Sequence, residues 1–484
     1  MDISFHHGTR VFEMADDVVP IRTAQSAVIF LIGTAPDADA AVFPINTPVL
    51  IKGASNYAIA ASLGEAGTLK QHLDGIFDQG GNARLGAYVY VTRVTQGANT
   101  AETLSNIVGD AAARTGVHAA FRIEGLYGRK LGPRIFVAPG FTHALASDGL
   151  ASVTVTAQGA DFGPDTTIAV SGGGGRNAEV APIIVDGAIT GIAIKKPGFG
   201  FTGVPVLTIT NAGGGAGATF TPVIGAVGNP VAHELEGICA KLKAVAFIDG
   251  PNTTDQAAVT TREKYGSERL YIADPQVQIW DTDLSAYVPE PASARFAGVQ
   301  CRVDRDQGFV KSVSNELIYG IDGVTRPIVY GDQTNYLNEN CVGTIVNFGE
   351  GYRTWGNRTT ANTFLAVRRT KDFVNEAIER EYLKFVDKPL NEANLKFLVE
   401  SARAFLRTLE AEGYLLRGSD VWIDEGLNAP TELRQGRVTL SIKFEPPPPM
   451  EDIRIAAHPN IQAYTLLLQR VGAAIEGGSL SLAA

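Results

Sequence analysis

Cysteine is scarce in this chain. The three present, Cys239, Cys301 and Cys341, lie far apart and are odd in number. That excludes a disulfide scaffold and a cysteine-built zinc site, and fits a reducing compartment. Histidine is scattered: His6, His7, His72, His118, His143, His233 and His458 show no HExxH or similar spacing, so no metal ligand set can be read. Long apolar runs are missing too. AVIFLIG at 27–33 is strand-sized, far short of the ~20 residues that span a bilayer. The opening residues MDISFHHGTR lack the apolar core of a secretory leader. Positive charge is in deficit, 41 Lys and Arg against 51 Asp and Glu, a net charge of -10, which speaks against wholesale nucleic-acid binding.

What is there suits a large globular chain. Its 484 residues, 45% apolar, predict two to four domains. SAVIFLIGTAP (26–36) reads as a strand buried on both faces. GTLKQHLDGIFDQGG (67–81) has Leu69, Leu73, Ile76 and Phe77 at helical spacing, with Thr68 as cap and Gly80 as stop, and AYVYVTRV (87–94) is a strand. The same grammar returns in KAVAFIDGP (243–251), the helix 253–266 capped by Thr253, Thr254 or Asp255, the strand 268–275 and the helix 291–305. Residues 23–149 and 230–345 therefore form one α/β domain.

Between them, 150–229 has a different composition. GADFGPDTTIAVSGGGGRNAEVAPII (159–184) resembles GFGFTGVPVLTITNAGGGAGATFTPVI (198–224): Phe162 matches Phe201 and Val170 matches Ile209 at an offset of 39, and Pro182 matches Pro222 at 40. The intervening VDGAITGIAIKKPG reads as a spacer. This is an inserted all-β duplication of short strands and glycine turns.

The last third predicts a strand at Thr363–Val367 and a helix over 371–386 capped by Thr370. A second helix, capped by Asn391, runs to Glu412, with a strand at 421–426. RVTLSIKFE (437–445) alternates and reads as a half-buried strand; PPPP (446–449) forces extension, EDIRIAAHP (451–459) offers one more strand, and a tail follows. Both termini read as arms able to add a strand to a neighbour's sheet edge.

Candidate chemistry is thin. The glycines of SGGGGRN (171–177) recur in the second copy as turns and lack the Lys-Ser/Thr of a phosphate loop. Asp249 and Asp274 end putative parallel strands, where α/β enzymes place catalytic carboxylates. No His or Cys lies close in sequence to complete a constellation, so ordinary turns are the favoured reading. No catalytic, cofactor or metal residue is assigned. Over 353–417, twelve Lys/Arg face nine Asp/Glu. This is either a solvated helix face or a weakly positive surface for an acidic partner.

Five stretches together resemble the contractile tail sheath proteins of phages and related injection particles. They are HGTRVFE (7–13), the segment 43–94, PASARFAGVQCRVDRDQGFVKSVSN (291–315), GYRTWGNRT (351–359) and LNAPTELRQGRVTLSIKFEPPPPMEDIRI (427–455). The resemblance implies no catalysis and no cofactor. It implies instead a homo-oligomer of stacked hexameric rings around an inner tail tube, ending on baseplate and terminator proteins. No nucleic-acid or membrane partner is implied. The place is the virion tail, after assembly in the host bacterial cytoplasm. An arm at 1–22 (Phe5, Arg10, Val11, Phe12) and another in the C-terminal segment (Ile453, Ile455) would join subunits, 346–458 would be the sheath core domain, and 459–484 a terminal tail. Arg368, Arg369, Lys371, Lys384, Lys396 and Arg403 would face the tube. Trp355 would be a buried packing anchor in a turn built from Gly356, Arg358 and Thr359, and 150–229 would face outward. An α/β enzyme using Asp249 or Asp274, and an adhesin-like protein led by the glycine-rich repeat, are the alternatives.

Overall fold

The computed structural model describes residues 26–81, 84–128, 131–211, 213–282 and 284–476. Phe5, Arg10, Val11 and Phe12 lie outside the described residues. A body ending at Pro448 and a unit beginning at Pro449 are separate.

The body is built on an eight-stranded sheet. Its strands, numbered along the chain within this sheet, are β1 (Val28–Thr34), β2 (Val49–Lys52), β3 (Tyr88–Val94), β4 (Ile135–Val137), β5 (Val245–Asp249), β6 (Leu270–Ala273), β7 (Val342–Asn347) and β8 (Tyr352–Trp355). The order is β8-β7-β6-β5-β4-β1-β3-β2. The six inner strands run parallel, and β2 and β8 close the edges antiparallel. The unbroken apolar run of β1 follows from burial on both faces. Ile29 and Leu31 enter one core with Leu73, Ile76 and Phe296; Val28, Phe30 and Ile32 enter the other with Val231, Leu235 and Ile238.

The flanking helices match the spacing closely, with local differences at their ends. The helix Leu69–Phe77 carries no side-chain cap at Thr68. The Thr68 hydroxyl instead accepts from the Thr34 amide at 3.1 Å, tying the helix to β1. The chain reverses at Gly81, φ 71°, one residue past the expected stop. Thr254 is the cap of Asp255–Arg262, accepting from the Ala257 amide.

The inserted region spans more than expected and is better ordered than a repeat with a spacer. Ala146–Ala160 pairs with Ala216–Val227, and Thr167–Ser171, Arg176–Val185, Ala188–Phe199 and Val206–Thr210 form a second sheet. The supposed spacer contains the strand Ala188–Phe199, which is the counterpart of 149–160. Val153, Val155, Gly159 and Phe162 stand 39 residues before Ile192, Ile194, Gly198 and Phe201. The short strands of the two copies pair antiparallel with Ala169 opposite Thr208, its own counterpart. A pseudo-two-fold axis passes through that pair. The long strands cross over: the closing strand of each copy pairs with the opening strand of the other.

Backbone detail repeats with the sequence. Gly159 and Gly198 have φ 64° and 63°. A Cβ on Gly159 would meet Ala216 O at 2.5 Å; on Gly198 it would meet Arg176 O at 2.6 Å, the equivalent atom. The glycine run also makes room for an aromatic ring. A Cβ on Gly175 would lie 2.3 Å from the Phe201 ring, and one on Gly215 would lie 2.6 Å from Phe162, so each ring sits on the other copy's glycine. The copies are joined by Asp186-Gly187, both at positive φ, the signature of a type I′ hairpin turn. The insertion is anchored to the body: Phe199 is 4% exposed and belongs to the α/β core. Lys196 reaches Glu234 at 2.6 Å, and Glu234 also meets His118 Nε2 at 3.2 Å.

The C-terminal part differs most from expectation. Because β7 and β8 belong to the central sheet, that sheet extends past residue 346 to Trp355. Thr363–Val367 is not a strand. A helix already begins at Leu365 and continues to Tyr382, with the Thr370 hydroxyl bonded back to Ala366 O at 2.8 Å rather than capping. The short run suits strand and helix equally by pattern, and the helical face buried from Leu365 and Ala366 through Arg369, Phe373 and Ala377 decides it. Asn391 does cap Glu392–Ala411, accepting from the Asn394 amide at 2.9 Å. The alternation in 437–445 is present, since Leu440, Ile442 and Phe444 pack on Phe405, Leu406 and Val421. Only Ser441–Lys443 pairs, with Asp420–Trp422.

In the separate unit, 451–459 forms no strand among the described residues, and the tail holds a helix, Gln462–Glu476.

Candidate functional site

The carboxylates at the strand ends come first, because the sheet changes direction between β1 and β4, where open α/β sheets bind ligands. Beside that crevice, the ends of β5 and β6 are knotted by hydrogen bonds. Asp249 is 1% exposed and accepts from Gly140 N (3.3 Å), Thr142 Oγ1 (3.1 Å), Ser293 N (2.9 Å) and Ser293 Oγ (2.9 Å). Burial pushes its carboxyl above the usual range and the four donors oppose that rise. The side chain splices the loop after β4 to the start of the helix Ser293–Asp306. Asp274 is fully buried, accepts from Asn252 N at 2.7 Å and pairs with Arg326, which also pairs with Asp255. Both oxygens of each carboxylate are engaged by the fold. Among the described residues no group of three or more His, Cys, Asp or Glu could hold a metal, and no helix is long and apolar enough to cross a membrane.

GEGYRTWGNRT forms β8 and the turn leading to the next helix. The Trp355 ring is half-buried, not a fully buried anchor. It rests against the α/β core and packs edge-on with Tyr330 (5.4 Å) and Phe348 (5.3 Å), rings that are 60% and 42% exposed. Its strand lies at the sheet margin, with a neighbouring strand along only one edge of β8. Gly356, φ 117°, lets the backbone pass Asn338 Oδ1, which a Cβ would approach to 2.3 Å. Arg358 donates to Asn362 O (3.3 Å) and Oδ1 (2.9 Å) and lies over Phe364. Thr359 is buried, its hydroxyl 2.8 Å from that of Thr363. The turn is a rigid connector.

That connector aims the helix Leu365–Tyr382 along the body, and ion pairs fasten it. Arg369, 7% exposed, makes two bonds to Asp304, at 2.7 and 2.5 Å. Asp372 receives Arg269 at 2.7 and 3.0 Å and Arg368 at 2.8 Å. Glu376 pairs with Arg134, and Glu379 with Lys243. Arg369 is therefore consumed inside the body and not displayed on a face, and Arg368 is largely engaged. Arg403 bonds Glu400 (2.9 Å) and Asp420 (3.1 Å), holding its helix to the short strand pair. Lys371 is half-buried. Lys384 and Lys396 are exposed, beside Glu381 and Glu392. Nothing local to Arg369 marks Asp304 as its partner, since 65 residues separate them.

The strand pair 420–422 and 441–443 gains no third strand among the described residues. Ile453 and Ile455 are 71% and 87% exposed. A two-stranded sheet is marginal by itself, so this one depends on the helical core beneath it and leaves backbone groups for another chain.

Known proteins resemble this chain along most of its length. Residues 220–360 match the family model for the phage tail sheath protein central domain, and residues 358–458 match the phage tail sheath C-terminal domain. The tail sheath protein of Burkholderia phage BcepMu is 30% identical over 476 residues, covering 93% of this chain and 96% of that protein. A prophage major tail sheath protein of Pseudomonas aeruginosa strain UCBPP-PA14 is 39% identical over 231 residues, 46% of this chain and 59% of that protein. The fold is shared with the sheath of an extracellular contractile injection system in its contracted state, at TM-score 0.59 and 15% identity, over 96% of this chain and all of the other. The chain belongs to the phage tail sheath family, the structural proteins of contractile tails.

Proposed function

We propose that copies of this chain polymerise as stacked hexameric rings around an inner tail tube, and that the polymer contracts to drive the tube through a target cell envelope. The observation that carries the reading is the C-terminal strand pair with unfilled edges, followed directly by a proline-stiffened arm. An arm that adds a strand to a neighbour supplies main-chain hydrogen bonds for affinity and alternating side chains for register. In a heterologous contact of this kind the same exchange repeats from copy to copy without closing on a pair.

The ion-paired helix supports movement of the body as one piece. A hinge between the α/β layers and the C-terminal helices would have to separate Arg369 from Asp304, and an unpaired buried charge is strongly unfavourable. The arms then flex while bodies repack, and the free energy resides in the difference between two sets of contacts. Lys371, Lys384 and Lys396 remain for the tube-facing role; Arg368, Arg369 and Arg403 act within the subunit. The insertion faces outward. Baseplate and terminator proteins cap the polymer, which assembles in the bacterial cytoplasm and ends in the virion tail.

Negative-stain microscopy of the purified chain tests this. Long hollow cylinders are expected from the full chain and none from a variant lacking 1–22 and 449–484. Cylinders of normal length from the trimmed variant would overturn the reading.

A further inference from the structure

We infer that the terminal helix Gln462–Glu476 is a docking element that seats on the body of a second copy of this chain, beyond any strand added by the arm before it. The inference rests on the polymer reading above. Ile461, Tyr464, Leu468, Val471 and Ile475 recur at alternating steps of three and four, a two-heptad apolar stripe, with Leu467 beside it. All six are 47–76% exposed. No side chain of the helix is buried. An isolated helix of this length is marginal in water, so the stripe needs a partner to keep its shape.

Three observations choose the partner. First, the helix is nearly neutral, with Arg470 and Glu476 its only charged residues. An interfacial membrane helix carries a Lys- and Arg-rich polar face, which this one lacks. An acidic or basic partner surface would find no charge complement on it. Second, two heptads are too few for a free-standing coiled coil, so the mate must be a preformed surface held nearby at high effective concentration. Third, 449–460 is a proline-led tether of twelve residues outside any helix or strand, with a fully stretched reach of roughly 40 Å. In a polymer of identical copies, a neighbouring body satisfies all three conditions.

The test uses the full chain. Leu468→Asp combined with Val471→Asp should raise the protein concentration needed for cylinders by about tenfold or more, whereas Gln469→Asp, off the stripe, should leave it unchanged. The three native cysteines are buried, so Ala474→Cys can carry a thiol-directed photo-crosslinker. In cylinders grown from mixed heavy- and light-isotope copies, heavy–light links from position 474 are expected. Links confined to one isotope, links only to a co-expressed tube protein, or normal assembly of the double variant would each overturn the inference. If the unmodified chain forms no cylinders, the polymer reading itself fails, which is a distinguishable result.

Discussion

Arg369 shows how a residue's neighbours decide its role. In the sequence it sits in a basic cluster and looks available to a partner; in the fold it is spent on Asp304. Arg369→Met should cost about 3–5 kcal/mol, because it strands a buried carboxylate. Adding Asp304→Leu should recover most of that, and chemical denaturation of the two variants measures the difference. Trp355 makes the converse point. Half-buried among partly exposed rings, its loss to alanine should cost about 2 kcal/mol, below the loss for a fully enclosed ring. Asp74 offers a pH test. Burial, followed by the nearby Asp78 carboxylate, raises it to about 6 from an ordinary 3.8. The folded state therefore holds this proton more tightly than the unfolded chain. The stability it contributes is complete below about pH 4 and is lost as pH rises toward 6. Asp74→Asn should flatten that decline in urea midpoints measured between pH 4 and 7. Asp304 could not be assigned to Arg369 from sequence, since tertiary proximity leaves no local trace, whereas Asp78 stands one helical turn after Asp74.

Among the elements, legibility followed the burial pattern. β1 and β3 were readable as unbroken apolar runs buried on both faces, and the helix Leu69–Phe77 and the Asn391-capped helix because burial of one face imposes a period of 3.6. The helix beginning at Leu365 was blurred by Thr363 and Val367, which suit a strand equally well. The strand Ala188–Phe199 was hidden by Lys195, Lys196 and Pro197, polar or awkward residues that obscure its kinship with 149–160. The terminal helix left a signal that went unused, the spacing from Ile461 to Ile475. The duplicated turns carry a prediction of equivalence. Gly159→Ala and Gly198→Ala place a side chain at the same positive φ against the same carbonyl. Each should cost about 1–3 kcal/mol, and hydrogen exchange should show the loosening confined to the insertion in both.

At the scale of the whole molecule, the α/β body and the C-terminal helices behave as one object. The alternation of β1 between two cores, the Asp249 knot and the ladder on Leu365–Tyr382 each cross a boundary that composition alone would draw. The insertion is part of this object, through Phe199 and the Lys196–Glu234 contact. Removal of 151–229 should therefore lower the thermal midpoint of the remaining body, because it takes Phe199 from the core. Phe199→Ala alone should cost about 3–5 kcal/mol, which calorimetry can verify. An unchanged midpoint after the deletion would mean the body closes over the vacancy without help.

The crossed pairing within the insertion bears on its ancestry. A lone repeat, residues 149–187, would have an opening and a closing strand that cannot satisfy each other, yet two such peptides meeting head to head would rebuild the whole arrangement. The present gene would then be a fused record of an association once made between separate molecules. It could be shed by descendants only in full, since forfeiting either half would orphan the strands of the half that stayed.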